Sequence, residues 1–143
     1  MNPEFLSSDE TLAAFLQHFE AGTWPIADWR HMHHLAAAAC YLHEDPHSMD
    51  RLRINIKHYN LSQGGQNTED RGYHETLTRF WVGVITNYLA TLPSGLPRLE
   101  IAQLVVAKFA SQRDLFDAYY DFDVVKSREA RQAWIPPSLQ FVL

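Results

Sequence analysis

The chain has 143 residues, of which 46% are hydrophobic and 20% charged, with a net charge of −5. That length fits one domain with a substantial core, here residues 1–143, and the composition is typical of a folded globular protein rather than a disordered one. The acidic balance, with no cluster of basic residues beyond Arg51 to Arg53, argues against nucleic acid or an anionic membrane as partner.

Apolar residues recur at spacings of three and four along most of the chain, which predicts helices. The first helix is predicted over residues 9–21. Ser7 or Ser8 can cap its start, and Ser7 with Glu10 fits a capping box. Gly22 is placed to end the helix as a C-terminal glycine.

The second helix is predicted over residues 25–44. Its first residue is a proline, which helices accept at that position, and another proline at position 46 stops it. A third helix is predicted over 46–60. The polar, glycine-rich segment 61–72 follows as the longest loop, and long loops in compact domains are often functional.

The rest of the chain is also predicted to be helical. No segment shows the alternation of apolar and polar residues that a half-buried strand requires. We therefore expect an all-α fold with an up-down four-helix core and additional short C-terminal helices. The later helices are predicted over 73–92, 98–110, 112–120 and, with Ser127 as N-cap, 128–134.

The sequence shows no sign of export or membrane insertion. The single cysteine, Cys40, permits no intramolecular disulfide and suits a reducing cytoplasm. The N-terminus lacks the basic and apolar parts of a signal peptide. The longest apolar run, 35–42, is shorter than the about 20 residues that span a bilayer. We expect a cytoplasmic protein with no membrane partner.

Three of the eight histidines fall within the stretch 29–35. In an up-down bundle with short connections, the starts of helices two and four share one end. His31 and His34 are three residues apart, so they share a face, and that face looks like the core face. His74, at the start of helix four, lies at the same end. His33 is rotated by about 100° from His34 and is expected at the surface or an interface.

Other candidates are weaker. His58 and His18 are second choices, because both lie near helix C-termini, where the macrodipole alone explains a histidine. Cys40 is expected to be a small buried hydrophobe rather than a nucleophile. Arg128 and Arg131 could reach an acidic ligand, but surface placement is the simpler expectation.

The residue types at this end favour metal chemistry. Imidazole is the commonest metal-binding side chain, and three histidines plus water form a known catalytic zinc site. A helix N-terminus disfavours imidazolium, so His74 should stay neutral and able to ligate. We predict that His31, His34 and His74 hold a divalent metal, zinc or iron. Glu75 is predicted to act as a general base or to accept a hydrogen bond from one of the metal-binding histidines.

The sequence leaves three functions open. The first is a metal-dependent enzyme acting on a small organic molecule, with the 62–72 loop as a gate. The second is a non-catalytic module that binds a small ligand in the same polar pocket without metal. The third is a partner-binding helical domain whose histidines are hydrogen-bonded core residues. An i,i+3 histidine pair on a core face favours the first two, because its ring nitrogens must be satisfied.

The two histidine motifs, Trp29 to Leu35 and Gly72 to Thr78, occur together with a Ser-x-x-Ala-Arg-x-x-Trp motif at 127–134. This combination resembles a group of small bacterial all-helical proteins with HxxH and YHET motifs, and the resemblance implies no activity. The frame is also similar to DinB-like bundles, which hold a metal with three histidines and include thiol-dependent transferases, although the ligand spacing differs. The signature positions that the resemblance implies are His31, His34, His74 and Glu75.

Overall fold

The computed structural model describes residues 2–139. Within that range the chain forms α-helices, short 3-10 helices and no strand, which confirms the predicted all-α class. None of these helices is both long enough and apolar enough to cross a bilayer. Met1 and residues 140–143, which the predicted domain included, lie outside the described residues. The α-helices are α1 Asp9–Ala21, α2 His31–Glu44, α3 Met49–Ser62, α4 Glu75–Leu89, α5 Arg98–Phe109 and α6 Arg128–Gln132, and the 3-10 helices are Glu4–Leu6, Ile26–Asp28 and Leu115–Ala118.

The bounds of α1 agree with the prediction, and of the two predicted cap candidates it is Ser8 that caps the helix. Ser8 is the N-cap: its side chain accepts from the Thr11 amide at 3.2 Å, and the Ser8 amide donates to Thr11 Oγ1 at 3.1 Å. The predicted pair of Ser7 and Glu10 was wrong because Ser7 instead ends the preceding 3-10 helix, where its amide donates to the Glu4 carbonyl. The capping box is thus built one step later, with threonine in place of glutamate.

Gly22 ends α1 and joins it to α3. Its φ of 75° is left-handed, and a Cβ at this position would lie 2.4 Å from Ser62 Cβ, so only glycine fits. Gln63, just after α3, accepts from the Ile26 amide at 2.9 Å and donates to the Gly22 carbonyl at 2.7 Å. The C-terminal ends of α1 and α3 are therefore neighbours, as the up-down frame requires.

The second predicted helix is divided. The 3-10 helix Ile26–Asp28 is followed by two extended residues, Trp29 (ψ 128°) and Arg30 (ψ 171°), and α2 begins only at His31. The prediction of a continuous helix from residue 25 was therefore wrong. The break is stabilised at the Arg30 amide, which donates to Nδ1 of His33 at 2.9 Å. His31 is consequently the first residue of its helix rather than part of the second turn.

Helix α2 lies at the centre of the molecule, in contact with α3, α4 and most extensively α5. Its alanine run 36–39 is buried, which allows α5 to approach closely. From α5, Ile101, Ala102 and Val105 pack into the core. Helix α5, which follows the four helices predicted to form the core, is thus itself part of the core.

The C-terminal part is less helical than predicted. The predicted helix 112–120 is only the 3-10 helix Leu115–Ala118. Ser127 caps α6 as predicted, with its hydroxyl accepting from the Ala130 amide at 3.1 Å. The bounds of α3 to α6 differ from the predicted ones by at most three residues, as expected where helix ends depend on local caps.

Candidate functional site

A cavity of about 540 Å³ lies between α2, α3, α4 and the segment that follows α5. His31, His34 and His74 all border it, so the structure brings the three predicted site residues to one place. Its size is in the range of small-molecule sites. Apolar side chains form most of the remaining wall, among them Leu35, Ile56, Leu77, Trp81, Ile85 and Phe116.

His31 carries an unsatisfied nitrogen at this cavity. Its Nε2 is buried and has no hydrogen-bond partner among the described residues. Burial, followed by the charge of Arg113, lowers the pKa of His31, while a backbone hydrogen bond with Phe109 raises it. Such a bond raises a pKa when the ring donates, so the neutral ring holds its proton on Nδ1. Nε2 is therefore a free acceptor.

His34 borders the same cavity and packs edge-to-face against Trp29, with ring centroids 4.8 Å apart. The residue is exposed, so the expectation that it lies on a core face was wrong, although protein atoms surround much of its ring. Burial, followed by the charges of His31 and His33, lowers the pKa of His34 to about 4. The Trp29 indole nitrogen lies 3.0 Å from Nδ1 and 3.2 Å from Nε2, and its one N–H can donate to only one of them. The other nitrogen remains available to a ligand.

His74 uses both ring nitrogens within the protein. Nδ1 accepts from the Leu77 amide at 3.1 Å, which makes His74 the N-cap of α4. Nε2 therefore carries the proton and donates to the Val124 carbonyl at 2.8 Å. The pKa of His74 is lowered mainly by burial, so the ring is neutral as predicted, although the sequence argument had attributed this to the helix dipole.

Glu75 is not among the residues that border the cavity. Its carboxylate forms a bidentate pair with Arg53 of α3 at 2.8 and 2.7 Å and accepts from the Tyr73 hydroxyl at 2.6 Å. Burial acts to raise the pKa of Glu75, but the hydrogen bonds from Arg53 and Tyr73 together lower it below its ordinary value. In this position Glu75 connects α3 to α4, and its action as a general base stays a prediction.

His33 was predicted at the surface or an interface, and that prediction was wrong because the side chain lies in the core of the chain. It is 4% exposed and stacks on Phe5 with ring centroids 4.5 Å apart and on Trp29 at 5.5 Å. Burial lowers its pKa to about 4. Its ring ends the extended segment by accepting from the Arg30 amide. The available signal was its position, three residues after the N-cap, where a side-chain acceptor completes a cap.

The second-choice histidines lie elsewhere. His18 is exposed, with Nδ1 2.7 Å from the Thr23 hydroxyl, and His58 is exposed, with Nε2 3.4 Å from the Ser62 hydroxyl. Neither borders the cavity. Both belong to the junction between the ends of α1 and α3.

The glycine-rich loop is fixed by its own side chains. The side-chain oxygen Oδ1 of Asn67 accepts from the Tyr73 amide at 3.1 Å and from Nδ2 of Asn60 at 3.0 Å, and Nδ2 of Asn67 donates to the Lys57 carbonyl. Gly72 has φ 84°, and a Cβ there would lie 1.8 Å from the Gln66 carbonyl oxygen. Asn67 and Gly72 therefore determine how the loop borders the cavity.

Two arginines of helix α6 bind this loop, a role that the sequence did not indicate. Arg131 donates to the Gly72 carbonyl at 3.0 Å and to the Val125 carbonyl at 3.3 Å. Arg128 pairs with Asp70 at 2.6 Å. Both arginines thus bind the protein's own loop. The partners lie about 60 positions apart in the chain, so no local spacing indicated the contact.

A second cavity, of about 440 Å³, lies between α1 and α2. Its charged groups largely satisfy one another. Arg51 pairs with Glu20 at 3.3 Å and Glu44 at 3.2 Å, and Tyr41 donates to Glu20 at 2.5 Å. Arg98 also borders it. Because its carboxylates already have partners, this cavity is a weaker candidate than the one lined by histidines.

The predicted metal site depends on which donor side chains lie close together. Within residues 2–139, no set of three or more His, Cys, Asp or Glu side chains is arranged so that it could hold a metal ion. His31 and His34 have free nitrogens, but His74 would have to give up its bond to Leu77 or Val124 to ligate. The metal site stays a prediction.

The structure defines a small all-helical protein, which is the coarser part of what the sequence resemblance implied. No family model, curated protein or solved structure matches the chain. The chemistry of the cavity is therefore the basis for a functional proposal.

Replacing Glu75 with glutamine should destabilise the fold. The variant loses the charge of a pair whose side chains are only 27% (Arg53) and 13% (Glu75) exposed. We expect the free energy of unfolding to fall by about 2 kcal/mol, since breaking a largely buried pair leaves one charge uncompensated. Urea denaturation at pH 7 measures the change.

Asp50→Asn is the matched control, because Asp50 contacts the same Arg53 but is 89% exposed. It should cost about 0.5 kcal/mol or less. A carboxyl group whose pKa is lowered in the folded state stabilises the protein at pH values above its ordinary pKa. This stabilisation is lost as the pH falls through the pKa of the folded state. The difference between wild type and Glu75→Gln should therefore narrow in acid. Equal stability of the two at pH 7 would contradict the structural role of Glu75.

His33 should make stability fall as pH is lowered below neutrality. Its folded pKa of about 4 lies below the ordinary 6.5, so between these values only the unfolded chain binds the proton. Glutamine at position 33 keeps an acceptor for the Arg30 amide but cannot take up a proton. Between pH 7 and pH 5, His33→Gln should lose up to about 2 kcal/mol less stability than wild type. Urea denaturation at both pH values measures this.

His47→Gln is the control, because His47 is exposed. It should leave the pH dependence of wild type unchanged. If His33→Gln and wild type lose stability in parallel between pH 7 and pH 5, the burial of a neutral His33 is refuted.

Proposed function

We propose that the protein binds a small organic molecule in the cavity bordered by His31, His34 and His74. The observation that carries this proposal is the buried Nε2 of His31, which has no partner among the described residues, on a side chain that borders a mainly apolar cavity of about 540 Å³. Buried polar atoms without partners are rare in native proteins. A bound molecule with a hydrogen-bond donor would satisfy this one.

The wall chemistry indicates what such a molecule looks like. Leu35, Ile56 and Trp81 offer apolar surface to the body of the ligand. Because their pKa values are lowered, His31 and His34 are neutral at pH 7 and offer lone pairs and N–H groups rather than charges. A few directional polar groups in an apolar cavity are typical of sites that orient a small ligand.

Filling the cavity should abolish binding. Ala38 borders it and is buried, so Ala38→Phe places a large ring in the space. In a thermal-shift screen of small organic molecules, a true ligand at about 100 times its Kd should raise the Tm of wild type by about 5 °C or more. It should leave the Tm of Ala38→Phe unchanged. Quenching of the intrinsic tryptophan fluorescence, to which Trp81 at the cavity contributes, gives a second readout of binding.

Ala13→Phe is the matched control, because Ala13 borders the other cavity. A ligand of the proposed site should stabilise Ala13→Phe as it stabilises wild type. The proposal fails if no compound stabilises wild type, or if every stabilising compound also acts on Ala38→Phe.

The metal-dependent enzyme remains a second candidate. It is favoured by one observation: His31 and His34, three residues apart on α2, both border the cavity and each has a ring nitrogen without a protein partner. Zinc or iron bound there would polarise water or a substrate carbonyl. His74 could join only after giving up one of its two hydrogen bonds. Glu75, which does not border the cavity, would have to leave its pair with Arg53 to serve as the base.

Elemental analysis of protein purified without a histidine tag tests this candidate. If it is right, wild type carries about one zinc or iron per chain and His34→Ala loses it, because that change leaves too few ligands. His58→Ala should retain the metal, since His58 lies outside the cavity. Equally little metal in wild type and His34→Ala rejects the metal-dependent enzyme and leaves ligand binding standing.

A further inference from the structure

Arg113 is a cation without a partner at the cavity. It lies just before the 3-10 helix Leu115–Ala118 and borders the same space as His31 and His34. Among the described residues its guanidinium has no hydrogen bond or ion pair, whereas Arg51, Arg53 and Arg128 each pair with a carboxylate. Its donors are therefore free to bind a group inside the cavity.

Arg113 is the one lysine or arginine among the described residues that border the cavity with His31 and His34. Its charge acts to lower the pKa of both histidines. Asp114 also borders the cavity, but it opposes Arg113 only at His31 and acts there more weakly. The field at the two histidines therefore favours an anion.

Resting on the proposed function, we propose that the ligand is an amphipathic hydroxy carboxylate, with its anionic group on Arg113 and its hydroxyl donating to Nε2 of His31. The guanidinium fork matches the geometry of a carboxylate and forms strong charge-assisted hydrogen bonds with it. The apolar chain of the ligand would extend along the wall that contains Ile56 and Trp81. This arrangement satisfies the free cation and the free acceptor with one head group.

Three probes with the same ten-carbon chain test the ligand class by isothermal titration calorimetry. They are 3-hydroxydecanoate, its uncharged amide 3-hydroxydecanamide, and decanoate. Wild type should bind 3-hydroxydecanoate about tenfold or more tightly than the amide, because one charge-assisted pair is lost. Decanoate, which lacks the donor to His31, should also bind more weakly. The preference for the acid over the amide should shrink as ionic strength rises.

Arg113→Gln should abolish the preference for the acid over the amide. Arg98→Gln removes the same charge at the other cavity and should keep that preference. One outcome is that wild type binds 3-hydroxydecanoate and its amide equally while Ala38→Phe blocks the binding of both. That outcome rejects an anionic group on the ligand and leaves the proposed binding function standing. A preference that survives Arg113→Gln also overturns the inference. If none of the probes binds, this ligand class is rejected, and the thermal-shift screen decides the proposed function independently.

Discussion

The hydrogen bond from the Arg30 amide to Nδ1 of His33 determines where α2 begins, and the histidine-lined cavity depends on it. It ends an extended segment and starts the helix at His31. Successive helical residues are rotated by about 100°, so fixing His33 also fixes its neighbours. With His33 stacked on Phe5 inside the core, His31 and His34 turn together toward the cavity. A shift of the helix start by one residue would exchange these directions.

Histidine caps a second helix as well, since His74 accepts the Leu77 amide at the start of α4. Helix starts usually use serine, threonine, aspartate or asparagine, whose oxygens accept at any neutral pH. An imidazole can accept only while one nitrogen is unprotonated. Burial lowers the pKa of both His33 and His74 and so keeps the caps intact. The chemical property that suggested metal ligands, a neutral imidazole, is used at these two positions to begin helices.

Much of this arrangement could be predicted from local spacing. The repeat of apolar residues predicted the helices, the interval between His31 and His34 predicted their common face, and the up-down frame predicted that His74 would join them at one place. The break before α2 could not be predicted from the apolar repeat, because it depends on the bond from the Arg30 amide to His33 together with a tertiary contact. The Trp29 ring packs on Tyr59 at 4.6 Å and holds the backbone in the extended form.

The engagement of His74 and Glu75 was hidden for the same reason. Val124, which accepts from His74, is 50 positions away, and Arg53, which binds Glu75, is 22 positions away on another helix. No spacing rule connects such residues before the fold is known. The sequence motif that contains His74 and Glu75 thus marked the correct place but not the roles that the two side chains have there.

The same long-range contacts give the cavity a fixed shape. His74 donates to the Val124 carbonyl, and Arg131 donates to the carbonyls of Gly72 and Val125. In the glycine-rich loop, the side chain of Asn67 accepts from the Tyr73 amide. Backbone atoms of two chain segments are therefore tied to each other before any ligand arrives. A wall built in this way loses little conformational entropy on binding, so more of the interaction energy is retained as affinity. Selectivity then depends on the few polar groups that the wall leaves unpaired, among them Nε2 of His31, one ring nitrogen of His34 and the guanidinium of Arg113.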